Sequence, residues 1–297
     1  MKPAPFAYHA PDSLEAALEL AARHGPDARC LAGGQSLVPA MNFRLVEPTV
    51  LLDLNQLSEL DYVKETRQGG LRIGAMTRQR RVERDPAIAR LCPLLADVMP
   101  YVAHPQIRNR GTVGGSMVHA DPAAELPVIA VALNARFRVR SVEGERSVDA
   151  DDFFQGLFTV DLEPGEVLVE VEIPPWPAGA GWSFQEVARR HGDYALAGAA
   201  ALLTLDEDGR CQMARLLYLN VGDRPVDARK AARQLEGERV TDQAIAAAAQ
   251  TAATEEIDPV ADVHASVGYQ RHLARILTAR TLRQALARAA NGSRGEG

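Results

Sequence analysis

From Asp12 to His24 the apolar positions Leu14, Ala17, Leu18 and Ala21 recur at helical spacing, with Asp12 as the N-cap candidate, Glu15 three residues on and Gly25-Pro26 as the stop. Short apolar runs at 28–32, 49–54 and 71–75 predict strands, the first running into Gly33-Gly34. Residues 82–98 alternate helical faces broken at Pro86 and Pro93, and an Arg/Gly-rich passage follows at 107–116. After Asp121-Pro122, read as N-cap and first helical residue, a helix is predicted over 123–133, and strands over 136–141 and 167–173.

The richest Pro/Gly stretch, 174–181, marks a domain boundary, dividing the chain into 1–176 and 177–290 with a frayed polar tail at 291–297. Beyond the boundary, strands are predicted at 183–187, 195–205 and 211–221, and alanine-rich helices near 226–236, 241–254 and 266–289. The expected class is α+β: a mixed first half, then a small antiparallel sheet carrying helices.

Composition narrows the function classes. The 297 residues suffice for about two domains at roughly 150 residues each. A 46% hydrophobic share with 24% charged residues is that of a folded soluble chain, and no run reaches the roughly 18 apolar residues of a membrane span. The N-terminus lacks the apolar core of a secretory signal, so a cytoplasmic location is expected. With 33 basic against 39 acidic residues the net charge of -6 gives no global attraction to nucleic acid. Cys30, Cys92 and Cys211 lie far apart without a CxxC, so no zinc or iron–sulfur ligand set is present in this sequence.

The candidate chemistry lies in two glycine turns. In Ala32-Gly33-Gly34-Gln35-Ser36-Leu37, consecutive glycines after a strand let backbone N–H groups approach an anion; Ser36 adds a hydroxyl, and a helical turn starting there would strengthen the anion site. One such pair alone is the ordinary left-handed link between strand and helix. The passage Arg108-Asn109-Arg110-Gly111-Thr112-Val113-Gly114-Gly115-Ser116 repeats the ingredients with cationic neighbours, and two turns in one domain suit a pyrophosphate as well as they suit two structural turns. Neither GxxxxGK[ST] nor GxGxxG occurs. Glu125 is an acceptor for sugar hydroxyls at a helix start, while His104 and His119 read as local hydrogen bonders.

The segments AGGQSLVPAMNFRL (32–45) and IRNRGTVGGSMVHADPAAELP (107–127) resemble the two flavin-binding signatures of the FAD-carrying medium subunit of molybdenum hydroxylases, the carbon monoxide dehydrogenase and xanthine dehydrogenase type. GEVLVEVEIP (165–174) and VARRHGDYALAGAAALL (187–203) extend the resemblance over almost the whole chain. It implies a two-part FAD domain of the vanillyl-alcohol-oxidase (PCMH) type and a C-terminal sheet with a helical bundle. In that resemblance Ala32 to Leu37 and Thr112, Val113, Gly114, Gly115 and Ser116 would hold the pyrophosphate, Glu125 the sugar or ribityl hydroxyls, and Ala103 and Leu168 would line the flavin pocket. Tyr194 matches a position beside the isoalloxazine ring, or is a half-buried strand tyrosine with a bonded hydroxyl. The resemblance fails at Glu186, where relatives often carry lysine nearby, so no flavin-tuning cation is carried over; Arg189-Arg190 face a partner or solvent.

The family implies an electron-transfer role. A molybdenum cofactor on a large subunit oxidises substrate, a small subunit carries [2Fe–2S] clusters, and FAD on this chain passes electrons to an external acceptor, in a dimer of heterotrimers without nucleic acid or membrane insertion. No catalytic acid, base or nucleophile is required of this chain. Two rivals are a self-sufficient flavin oxidoreductase and a flavin-free assembly subunit; the glycine pairs argue against the second.

Overall fold

Three consecutive buried residues, Val50, Leu51 and Leu52, suit strand β3 (Val50–Asp53) to an interior position. In the computed structural model, which describes residues 2–292, it lies between β1 (Ala7–His9) and β2 (Ala28–Leu31), parallel to both. The helix Leu14–His24 connects β1 to β2 and the helix Leu37–Asn42 connects β2 to β3. The predicted face of the first helix, Leu14, Ala17, Leu18 and Ala21, is buried against Leu52, Leu57, Val167 and Val169. Its cap is Ser13 rather than Asp12: the Ser13 Oγ accepts from the Ala16 N–H, and Glu59 takes the Leu14 N–H.

A second, antiparallel sheet runs in the order β4-β5-β10-β6-β7, from β4 (Val63–Glu65), β5 (Leu71–Gly74), β6 (Arg136–Ser141), β7 (Gly144–Asp149) and β10 (Val167–Ile173). Between β7 and β10 stands a small hairpin, β8 (Phe154–Gly156) with β9 (Thr159–Val160). The central strand carries Glu170, 1% exposed, whose carboxylate accepts from Arg72 Nε (2.8 Å), Arg138 (3.0 Å) and the Tyr62 hydroxyl (2.5 Å). Burial works to raise its pKa, but these donors outweigh it and hold the group ionised. This unit comprises the chain up to Leu91 with His104–Ala120 and Asn134–Pro174.

The second unit comprises Cys92–Ala103, Asp121–Leu133 and the chain from Pro175 on. Its antiparallel sheet runs β11 (Gly181–Ala188), β12 (Ala195–Leu205), β13 (Cys211–Leu219), β14 (Val226–Asp227) in sequence order. The long C-terminal helix, Val267–Gly292, covers β11 and β12, while the helix Glu125–Ala132 packs on β12 and β13. Closest approach is at Gly181, where a Cβ would lie 1.9 Å from the Ala285 carbonyl oxygen and 2.4 Å from the Ala289 nitrogen.

Several boundaries differ from expectation for local reasons. The breaks at Pro86 and Pro93 are present, dividing Gln79–Arg84, Pro86–Leu91 and Pro93–Val98. Asp121 does not cap a helix: its carboxylate accepts from the Ala123 N–H in a turn, and the helix begins only at Glu125. The strand expected to reach 221 ends at Leu219 because Asn220 turns left-handed (φ 56°). Residues 226–227 add to the sheet edge, leaving Arg229–Arg233 as the helix, and the 241–254 helix loosens at Ala252–Glu256 into a π turn. Asn291 and Gly292, expected to fray, continue the last helix; 293–297 lie outside the described residues. Among the described residues, no helix is long and apolar enough to cross a membrane, and no group of His, Cys, Asp and Glu could hold a metal ion.

Because helix backbone, not a movable side chain, stands over Gly181, Gly181→Ala should lower stability by about 1–3 kcal/mol. Urea unfolding of the purified chain checks this; an unchanged midpoint would mean the helix yields freely.

Candidate functional site

The first glycine turn follows β2. Gly34 adopts φ 73°, and Ser36 occupies the N-cap of the helix Leu37–Asn42 without its hydroxyl bonding a helix N–H. Val38 and Ala40 donate back to Gly34 and Ser36. The N–H groups of Gly34, Gln35, Ser36 and Leu37 donate to nothing among the described residues. Four unpaired donors at one turn form a concave positive site of the kind that takes an anion. Gln35 folds back instead, its Nε2 donating to the Gly33 carbonyl at 3.1 Å.

The second turn differs in kind. The N–H groups of Val113, Gly114, Gly115 and Ser116 donate to Thr77 O, Ala75 O, Thr112 Oγ1 and Thr112 O. Its backbone donors are therefore committed inside the protein, and Thr112 is a helix cap. The glycines serve packing: a Cβ on Gly114 would stand 2.6 Å from the Ala75 Cβ, and one on Gly115 2.7 Å from Thr112 Oγ1. What the turn offers a ligand is the half-buried Ser116 hydroxyl, which caps nothing.

The two turns touch. A Cβ on Gly33 would lie 2.5 Å from the Arg110 carbonyl oxygen and 2.7 Å from Gly111 Cα. A side-chain relay fixes the contact: Asn55 Nδ2 donates to the Ala32 carbonyl (2.9 Å), Arg78 donates to Asn55 Oδ1 (2.6 Å), and Arg78 also donates to the Arg110 carbonyl. Beside this junction lies a cavity of about 330 Å³ bounded by the first turn, Val38, Pro39, Asp53, Asn55 and Arg110. Asp53 is held below the usual carboxylate range: burial acts the other way, but hydrogen bonds from Tyr8 and Asn55 and the charge of Arg110 prevail.

Of the cations noted in the sequence, Arg108 is not available to a ligand, being buried in a two-point ion pair with Glu83 at 2.9 and 3.0 Å. Arg110 lines the cavity instead. Asn55 and Arg78, which sequence reasoning missed, lie 23 residues from each other, with Asn55 23 residues from Ala32 and Arg78 32 from Arg110, and no local pattern marks them. Leu168 is in the same unit, buried on β10, against which the helix Val113–His119 packs. His119 packs at a tilt against Phe158, ring centroids 5.1 Å apart and planes at 37°.

Ala103, Glu125 and Tyr194 belong to the second unit. Ala103 holds an unusual left-handed φ of 44°. Glu125 is buried at the first position of its helix, and Tyr194 is 69% exposed just before β12, not a half-buried strand residue. Arg189 and Arg190 both pair with Asp193. Glu186 on β11 has a buried Oε2 without a hydrogen-bond partner; burial first, and the nearby Glu125 second, push its carboxyl up to about 8.

Comparison with known proteins gives one consistent answer. Residues 4–176 match the FAD binding domain in molybdopterin dehydrogenase, and residues 182–285 the CO dehydrogenase flavoprotein C-terminal domain. The 6-hydroxypseudooxynicotine dehydrogenase complex subunit alpha of Paenarthrobacter nicotinovorans is 44% identical over 97% of each chain. The carbon monoxide dehydrogenase medium chain of Hydrogenophaga pseudoflava is 35% identical over 98% of this chain and 100% of its own. The crystal structure of quinoline 2-oxidoreductase from Pseudomonas putida 86 superposes with a TM-score of 0.92 at 43% identity, covering 97% of this chain and 99% of that one.

The Glu186 environment has a measurable consequence. Its pKa is raised in the folded chain, so the unfolded chain ionises first as pH rises and the stability associated with the neutral acid is lost on the way to about 8. Melting temperatures recorded from pH 5 to pH 9 should therefore fall more steeply for the native protein than for Glu186→Gln. Parallel curves would place Glu186 in water.

Proposed function

The chain belongs to the family of FAD-binding subunits of molybdopterin dehydrogenases, and we propose that it is the flavin-carrying electron-transfer subunit of a molybdenum hydroxylase. The observation that supports FAD here is the first turn: four unpaired backbone donors beside Arg110, on a junction so close that only glycine fits at position 33. A diphosphate matches that donor set, because charge-assisted bonds from N–H groups to phosphate oxygens satisfy both sides. When bound, the flavin supplies one- and two-electron chemistry.

This chain's residues bind and orient. In this reading Ala32 to Leu37 hold the pyrophosphate through backbone N–H groups and the Ser36 hydroxyl, and Ser116 adds a hydroxyl from the Thr112 to Ser116 turn. Val113, Gly114 and Gly115 act indirectly, by anchoring that turn to Thr77, Ala75 and Thr112. Glu125 receives sugar or ribityl hydroxyls, Ala103 and Leu168 line the flavin pocket and Tyr194 stands beside the ring, as the family resemblance implies. In this reading a small subunit would carry [2Fe–2S] clusters and a large subunit the molybdopterin cofactor, and the flavin held here would relay their electrons to an external acceptor. A dimer of such heterotrimers in the cytoplasm accords with relatives that are subunits of dehydrogenase complexes and with the free thiols of Cys30, Cys92 and Cys211.

Flavin content and FAD affinity test the assignment. The purified chain should retain stoichiometric FAD releasable by heat. Gly33→Ala should lose it with its circular dichroism intact, and Arg110→Gln and Glu125→Ala should each weaken binding by about 1.5–3 kcal/mol. Full retention by Gly33→Ala would remove the first turn from the site, and a native chain that takes up no FAD would end the flavoprotein reading.

A further inference from the structure

On the side facing β13, β12 begins before its neighbour can pair with it. Pairing with β13 starts at Gly198, opposite Leu219, so among the described residues 195–197 meet no strand on that side. β13 ends there because the chain turns away at Asn220, whose φ of 56° is a left-handed value that asparagine tolerates better than most residues.

Side-chain amides stand in for the missing strand. Asn220 Nδ2 donates to the Ala195 carbonyl at 2.6 Å and lies 3.5 Å from that of Leu196. Gln270, buried on the helix Val267–Gly292, donates its Nε2 to the Asn220 carbonyl at 3.2 Å and reaches the Leu196 carbonyl at 3.5 Å. Its Oε1 is buried without a partner, a cost that an apolar side chain at 270 would avoid. The main chain makes a third tie: the Asn220 N–H donates to the Pro122 carbonyl at 2.8 Å, in the turn that Asp121 closes ahead of Glu125.

These ties converge beside Tyr194. The ion pairs of Arg189 and Arg190 with Asp193 close the loop 189–194 on itself, so Tyr194 is placed where the chain enters β12 at Ala195. Desolvation first, and then the charges of Asp121 and Glu125, raise the pKa of its hydroxyl, which puts the three side chains in one neighbourhood. All of these residues belong to the second unit.

We propose that Asn220 is a positioning residue of the flavin site: its side-chain amide holds Ala195, and through it Tyr194, in place against the turn that leads to Glu125. The proposal rests on the reading of Tyr194 as a neighbour of the flavin ring. Glycine at 220 keeps the left-handed turn and the N–H bond to Pro122 and removes only the amide, so that substitution isolates the tie.

Fluorescence per bound flavin tests it, because a tyrosine against an isoalloxazine ring quenches its emission by electron donation. In the full chain loaded with FAD, Asn220→Gly should raise that emission at least twofold, with flavin per chain and melting temperature close to native. Tyr194→Ala should raise it at least as much. Adding Asn220→Gly to Tyr194→Ala should change nothing more, since both act through one side chain. Native emission from Asn220→Gly beside raised emission from Tyr194→Ala overturns the proposal and leaves Tyr194 at the ring. A twofold rise that Asn220→Gly still causes in the Tyr194→Ala background also overturns it, because the amide then acts by another route. Loss of the fold in Asn220→Gly makes the residue a structural one and overturns it as well. Native emission from Tyr194→Ala removes Tyr194 from the ring, and the proposal falls with that reading.

Discussion

The contact of Gly33 with the Arg110 carbonyl and Gly111 is the constraint from which the candidate site is built. Two turns, 77 positions apart in sequence at Gly33 and Arg110, meet backbone to backbone, and any Cβ at position 33 would hold them apart. Glycine removes the steric barrier; Asn55 and Arg78 supply the fastening, since each bonds a main-chain carbonyl of one turn and they bond each other. Division of labour follows. One turn keeps its donors open while the other uses its own to anchor the helix Val113–His119 to Ala75 and Thr77.

Much of this was legible in the sequence, but not the roles. The glycine pairs, the hydroxyls and the order of the motifs stand out in the letters, and they pointed to the family that the comparisons then identified. That Gly114 and Gly115 are packing residues was not visible, because their N–H acceptors, apart from the local Thr112, lie on a loop near residue 75. Arg108 and Arg110 look equivalent in sequence; only the fold shows that Glu83 claims the first. The apolar periodicity of 14–21 located the first helix, yet its cap shifted to Ser13, where the extended backbone lets the hydroxyl reach back. Strands of three residues, such as β1 and β4, are too short to show an alternation and depend on their partners.

The two units solve the problem of buried charge differently. Glu170 in the first is surrounded by two guanidinium groups and a phenol, so it remains an anion in the middle of a sheet. Glu186 in the second is buried without a donor and has another carboxylate nearby, and the two together push its carboxyl up to about 8. One site is complete within the chain, and the other is left wanting a donor.

The strand order β4-β5-β10-β6-β7 has a consequence for how the protein is made. Its central strand, β10, is the last of the five to leave the ribosome, so the β4-β5 and β6-β7 ribbons must wait as separate halves with their inner edges bare. Neither half can complete the sheet, and cooperative folding of the first unit awaits the emergence of Ile173. A nascent chain stalled before that point would be a natural client for a chaperone that shields unpaired strands.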